Sequence, residues 1–140
     1  MSAVTTPDAG PISDVSRLRW LLFGWTAVVW GNRLWNIATD GELEGVELAT
    51  NLGVAVFLLV AAVAMMVSLQ AGLSWHGRAL GVLVVAGITR FTIRGFSVLA
   101  NPEWDTGFKV VHTVLWAVTV ILSVLAAREY SKVRSAAWVS

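Results

Sequence analysis

The chain contains no cysteine, which excludes disulfide bonds, thiolate catalysis and thiolate metal sites. Charged residues are also scarce, at 14% of the 140 residues, whereas soluble domains contain about 25%. Hydrophobic residues make up 56% of the chain and the mean hydropathy is +0.71, while soluble domains are about 45–50% apolar. The sequence therefore predicts an integral membrane protein with one domain.

Motifs for catalysis and cofactor binding are also lacking. There is no nucleophile elbow, no glycine-rich phosphate loop and no HExxH pattern. No basic stripe with interleaved aromatic residues indicates nucleic-acid binding, and the net charge is only +1. We therefore expect no enzyme activity, no cofactor and no nucleic-acid partner. The acidic residues in the predicted outer loops allow a second interpretation, a catalytic pair of carboxylates. A solvated acidic rim explains them more simply.

Four apolar segments alternate with short polar loops. Each segment has about twenty residues, the length needed to cross a hydrocarbon core of about 30 Å. The predicted spans are 20–38, 46–69, 79–99 and 108–127. This pattern predicts an all-α, antiparallel four-helix transmembrane bundle with short loops over residues 17–130. Residues 1–16 are predicted to be a disordered cytoplasmic tail, and residues 131–140 a short basic cytoplasmic tail.

The basic residues that flank the spans indicate the orientation. They lie on the side of both termini, whereas the opposite loops are acidic: Arg17, Arg19, Arg78, Arg128, Lys132 and Arg134. The positive-inside rule therefore predicts a multi-pass protein of the plasma membrane with both termini in the cytoplasm. Ala, Val, Gly and Arg are abundant and lysine is rare, as in GC-rich genomes, and the chain resembles small four-pass bacterial inner-membrane proteins.

Two arginines one helical turn apart, Arg90 and Arg94, lie in the third span. Each guanidinium costs roughly 2.5–3.5 kcal/mol at mid-membrane, and each strongly apolar residue returns about 0.3–0.6 kcal/mol. The insertion free energy of this span is therefore near zero. We expect neighbouring helices to supply partners for both arginines.

The polar residues within the spans follow helical spacing, so each span has one predicted interior face. These faces bring a polar cluster together in the outer half of the membrane: Arg33, Glu47, Asn51, Arg90, Arg94, Lys109 and His112. The cluster has two interpretations. It locks the bundle through ion pairs and hydrogen bonds, for example between Arg33 or Arg94 and Glu47. Alternatively, it forms a positively charged cavity that binds an anion, a lipid headgroup or a quinone-like carbonyl.

A lone histidine in a membrane span invites assignment as a haem or metal ligand. His112 has no second ligand nearby, because His76 is predicted at the opposite edge of the membrane. We therefore expect His112 to be a hydrogen-bonding partner within the bundle.

The two halves of the chain share a pattern of residues, although few positions are identical. Aligning Arg33 with Arg94 also pairs Trp35 with Phe96 and Glu42 with Glu103. Parallel repeats of this kind occur in transporters. Unrelated membrane hairpins also resemble each other through their apolar composition. The similarity is therefore explained either by duplication of one hairpin or by composition alone.

The sequence favours a non-enzymatic accessory or lipid-associated interaction protein. Its expected partners are the lipid bilayer and either another protein or a second copy of the chain. The alternative is a small-solute or anion transporter or channel, built as a homo-oligomer with a polar pocket in the outer membrane half. A membrane enzyme acting on a lipid or quinone is the third interpretation.

Overall fold

The computed structural model describes residues 12–39 and 44–136, which form four helices and contain no strand. The helices are α1 (Ile12–Thr39), α2 (Gly45–Gln70), α3 (His76–Ala100) and α4 (Thr106–Ala136). Each helix packs against the next, and α4 also packs against α1, which closes the bundle. The predicted all-helical architecture is confirmed over this part of the chain.

The connections follow local backbone chemistry. Gly72 has a φ of +63°, which suits a residue without a Cβ, and it lets the chain turn directly after α2. α3 ends at Ala100 before Pro102, which lacks the N–H needed to continue a helix. The Asp105 Oδ1 atom then accepts a hydrogen bond from the Phe108 N–H at 2.9 Å and caps the start of α4.

All four helices are longer than the predicted spans, and two of them extend into the segments predicted as tails. α1 begins at Ile12, inside the predicted tail of residues 1–16, and α4 continues to Ala136, inside the predicted tail of residues 131–140. Neither extension contains glycine or proline, so nothing in its local sequence breaks a helix. The other tail residues, and the acidic loop residues Asp40 and Glu42, lie outside the described residues.

Three of the helices are long and apolar enough to cross a membrane: Gly45–Gln70, His76–Ala100 and Thr106–Lys132. This finding is consistent with a membrane protein. α1 is long enough but is not among them, and its last three turns contain the polar residues Asn32, Arg33 and Asn36.

Small and aliphatic residues form the centre of the bundle. Ala55, Ala62 and Leu58 of α2 are buried against Leu22 of α1 and Leu80 of α3. Small side chains allow close helix packing in membranes, where apolar burial alone provides little driving force. Large apolar side chains point outward from every helix, as expected of a surface in contact with lipid.

The closest helix approach that the glycines reveal is between Gly77 of α3 and Tyr130 of α4. A Cβ at Gly77 would overlap the Tyr130 phenol, and that ring is also held by His76, edge-on at 5.2 Å. We expect Gly77→Ala to lower the free energy of unfolding by about 1–3 kcal/mol, through overpacking. Circular dichroism during thermal and denaturant unfolding in dodecyl maltoside measures this change.

Gly81→Ala, one turn further along α3, is the matched control. A Cβ there meets nothing within 4 Å, so the helix should gain about 0.5–1 kcal/mol from reduced backbone entropy. Equal responses of the two variants would contradict the tight contact between α3 and α4.

Candidate functional site

A cavity of ≈ 290 Å³ lies at the end of the bundle where α1 and α3 end. We call it the arginine cavity, and we call this end the cavity end; the opposite end, where α4 ends, is the terminal end. All four helices contribute to its lining: Val29, Trp30, Asn32, Arg33, Asn36, Asn51, Arg90, Phe91, Arg94, Gly95, Phe108, Val111, His112 and Leu115.

Asn51 of α2 binds two of the three arginines that line the cavity. Its Oδ1 atom accepts one hydrogen bond from Arg33 Nη2 at 3.3 Å and another from Arg90 Nη2 at 3.2 Å. Its Nδ2 group donates to the backbone carbonyl of Glu47 at 2.9 Å, which fixes the orientation of the amide. The shared acceptor is neutral, so these hydrogen bonds leave both guanidinium charges uncompensated.

Arg94 adds a third positive charge to the cavity. Its side chain is exposed, and it has no hydrogen bond or ion pair with any residue that the structure describes. Arg33 and Arg94 both act on Arg90 as like charges. Because no described carboxylate lines the cavity, the arrangement suits a ligand that carries negative charge.

Aromatic side chains form the apolar part of the lining. Trp30 is only 8% exposed, and its ring meets Phe91 edge-on at 5.7 Å. Phe108 packs against His112 at 4.0 Å between ring centroids. The cavity therefore presents both cationic groups and aromatic surface to a ligand.

His112 makes its hydrogen bond within its own helix. The Nδ1 atom lies 3.0 Å from the Phe108 backbone carbonyl. The predicted role as a partner in the bundle thus takes the form of an intrahelical contact together with a place in the cavity wall. No group of histidine and carboxylate residues able to hold a metal occurs within the described ranges.

The structure brings most of the predicted polar cluster together. The members that line the cavity are Arg33, Asn51, Arg90, Arg94 and His112. Glu47 is exposed and Lys109 is half-buried, and neither lines the cavity. The expected pairing of Arg33 or Arg94 with Glu47 is replaced by the bonds from Arg33 and Arg90 to Asn51.

The sequence interpretation missed several lining residues. Asn32 and Asn36 lie one helical turn apart beside Arg33, and this spacing was a usable signal. Phe91 and Phe108 carried no signal, because phenylalanine is equally expected on a lipid-facing surface.

The cavity is closed toward the terminal end. Trp25 of α1 donates a hydrogen bond from Nε1 to the Thr119 hydroxyl of α4 at 2.8 Å. Leu22, Leu58 and Leu83 are buried on the terminal side of the cavity, and the cleft that they line together with Trp25 and Thr119 has a volume of only ≈ 10 Å³. Exposed Asn32 and Asn36 mark the open side at the cavity end.

The arginine cavity thus combines three guanidinium groups, neutral amides and aromatic rings. Comparison with known proteins finds no family model, no curated protein and no solved structure that matches the chain.

Proposed function

We propose that this protein is a non-enzymatic, lipid-associated membrane protein that binds a phosphate-type oxyanion in the arginine cavity. The supporting observation is the grouping of Arg33, Arg90 and Arg94 around the neutral acceptor Asn51, with no described carboxylate in the lining. Guanidinium groups bind phosphate oxygens through paired hydrogen bonds. A bound oxyanion would supply the negative charge that these side chains lack.

We also propose that all four helices cross the membrane, with both termini in the cytoplasm and the cavity in the outer half. Leu22 and Trp30 of α1 are buried against the bundle, while Leu21 and Val28 face outward, as a lipid-facing helix requires. The polar residues that reduce the hydropathy of α1 include Asn32, Arg33 and Asn36, all of which line the cavity. The basic residues near the terminal end support the orientation.

The size of the cavity limits the ligand. Drug-sized ligands usually occupy cavities of about 300–1,000 Å³, so ≈ 290 Å³ suits a phosphate group with a small substituent. At an effective dielectric constant near 20, each guanidinium about 4 Å from the anion contributes roughly 4 kcal/mol of attraction before desolvation. Two or three such contacts are enough to hold a small anion.

Transport of a small anion is the alternative function. In the single chain, the Trp25–Thr119 hydrogen bond and the packing of Leu58 and Leu83 block the route from the cavity to the terminal end. Transport would therefore need a homo-oligomer or a rearrangement of α1 against α4. Phosphate uptake into proteoliposomes that contain the purified protein distinguishes transport from binding.

Arg94→Gln tests the proposed binding function. Arg94 has no hydrogen-bond partner among the described residues, so its removal should leave the bundle intact while weakening glycerol phosphate binding by about tenfold or more. Equilibrium dialysis in dodecyl maltoside measures the dissociation constant. Arg78→Gln removes an exposed arginine near the terminal end and is the charge-matched control. Equal affinities of the wild type and Arg94→Gln would overturn the proposal.

A further inference from the structure

An apolar groove runs along the outer face between α2 and α3. It is lined by Val54 and Phe57 of α2 and by Gly81, Val85 and Ile93 of α3, among others, and has a volume of ≈ 660 Å³. The side chain of Val54 is half-buried, and those of Phe57, Val85 and Ile93 are exposed. The groove faces the surroundings of the bundle rather than its core.

Arg90 connects the groove with the arginine cavity, because it lines both. Its guanidinium reaches Asn51 at 3.2 Å. Apart from Arg90 and Thr89, the groove lining is apolar. The two sites therefore meet at Arg90. The arginine cavity on one side of it is positively charged, and the groove on the other side is apolar.

We propose that the anionic ligand is a membrane lipid, whose phosphate lies in the arginine cavity and whose acyl chain lies in the groove between α2 and α3. This inference rests on the proposed anion-binding function and names its ligand class. A free phosphate would use the cavity alone. An anionic lipid matches the positive charge at Arg90 and also covers the apolar surface that continues from it.

The dimensions of the groove fit one acyl chain. Its α3 residues extend from Ile93 to Gly81, which is about 18 Å at 1.5 Å per residue. One leaflet of a hydrocarbon core of about 30 Å is roughly 15 Å deep. The stretch of groove from Arg90 to Gly81 is about 14 Å long by the same rise per residue, which is close to the length that an acyl chain takes in one leaflet.

Gly81 provides a way to fill the groove without disturbing the cavity. A Cβ at Gly81 meets nothing within 4 Å, so a leucine side chain can project into the groove. Gly53 of α2 also has open space at its Cβ and lines neither site. Gly53→Leu is therefore the matched control.

The experiment compares a complete lipid with its two parts. The purified protein in dodecyl maltoside is titrated with dioleoyl phosphatidylglycerol, with glycerol phosphate and with dioleoylglycerol, and binding is measured by native mass spectrometry and equilibrium dialysis. We expect phosphatidylglycerol to bind at least tenfold more tightly than either part. Gly81→Leu should lower the affinity for phosphatidylglycerol by about tenfold and leave the affinity for glycerol phosphate unchanged. Arg94→Gln should lower the affinity for both.

The outcomes separate this proposal from the one on which it rests. If Gly81→Leu and Gly53→Leu bind the lipid as the wild type does, while Arg94→Gln still weakens glycerol phosphate, the acyl-chain site is wrong and the anion site stands. If the wild type binds neither phosphate compound, both proposals fail. If Gly81→Leu instead dissociates a homo-oligomer, the groove holds a second copy of the chain, which also overturns the lipid assignment.

Discussion

Replacing Asn51 with aspartate is expected to stabilise the bundle and, at the same time, to weaken anion binding strongly. The Asn51 Oδ1 atom already accepts hydrogen bonds from Arg33 and Arg90. A carboxylate of nearly the same shape would add ionic attraction to both guanidinium groups, although it would lose the hydrogen bond that the Asn51 Nδ2 group donates to the Glu47 carbonyl. We expect a net gain of about 1–2 kcal/mol in the free energy of unfolding.

The same substitution reduces the excess positive charge on which the ligand depends, because one carboxylate now stands beside the three guanidinium groups of the lining. A carboxylate about 5 Å from a bound phosphate repels it by roughly 3 kcal/mol per unit charge at an effective dielectric constant near 20. The affinity for glycerol phosphate should therefore fall by about 100-fold. Thermal unfolding and equilibrium dialysis in the same detergent measure the two opposite changes.

Asn51→Leu is the companion variant that gives the opposite change in stability. It deprives the Arg33 and Arg90 guanidiniums of their shared acceptor, and we expect the bundle to lose about 2–3 kcal/mol. If Asn51→Asp destabilised the protein as much as Asn51→Leu, the arginines would not depend on this acceptor. The arrangement of the cavity derived above would then be wrong.

Much of the arginine cavity could be predicted, because charged and polar side chains in apolar helices turn toward the neighbouring helices and away from lipid. Arg33, Arg90 and Arg94 were expected on interior faces at similar depth, and all three line one cavity. Helical spacing and hydropathy are local properties of the sequence. They were sufficient to select the helices and the faces that turn toward one another.

The choice of acceptor could not be predicted in the same way. Glu47 and Asn51 lie one turn apart on α2, and charge alone favours Glu47 as the partner of an arginine. The side chain of Glu47 is exposed, whereas Asn51 is half-buried and lies within reach of Arg33 and Arg90. This difference depends on the axial offset between helices, which no local pattern in the sequence encodes.

Arg19 has a contact that the sequence did not predict. It is among the basic residues that flank the predicted spans, and its side chain is only 4% exposed. Its electrostatic partner is Glu129 of α4, and Tyr130 lies beside it, with the guanidinium carbon 5.9 Å from the ring centroid. The predicted fourth span ended at residue 127, just before both partners, and no pattern in the sequence indicated their contact with α1.

Arg19→Leu is therefore expected to destabilise the bundle. The Glu129 Oε2 atom is buried without a hydrogen-bond partner, and so is the Arg19 Nε atom. Removing one member of a fully buried charge pair typically costs about 3–5 kcal/mol, and we expect a loss below this range because Glu129 is half-buried. Denaturant unfolding in dodecyl maltoside, followed by circular dichroism, measures the loss.

A double-mutant cycle separates electrostatic pairing from simple packing. If Glu129 becomes an uncompensated charge in Arg19→Leu, then adding Glu129→Leu should recover most of the lost stability, since replacing both members of a buried pair by apolar residues is often neutral. If the two changes only add, the charges do not interact and Arg19 acts through its contact with Tyr130. Arg19→Lys keeps the charge but loses the planar guanidinium, so a small loss in that variant would assign the stabilisation to charge rather than to stacking on the ring.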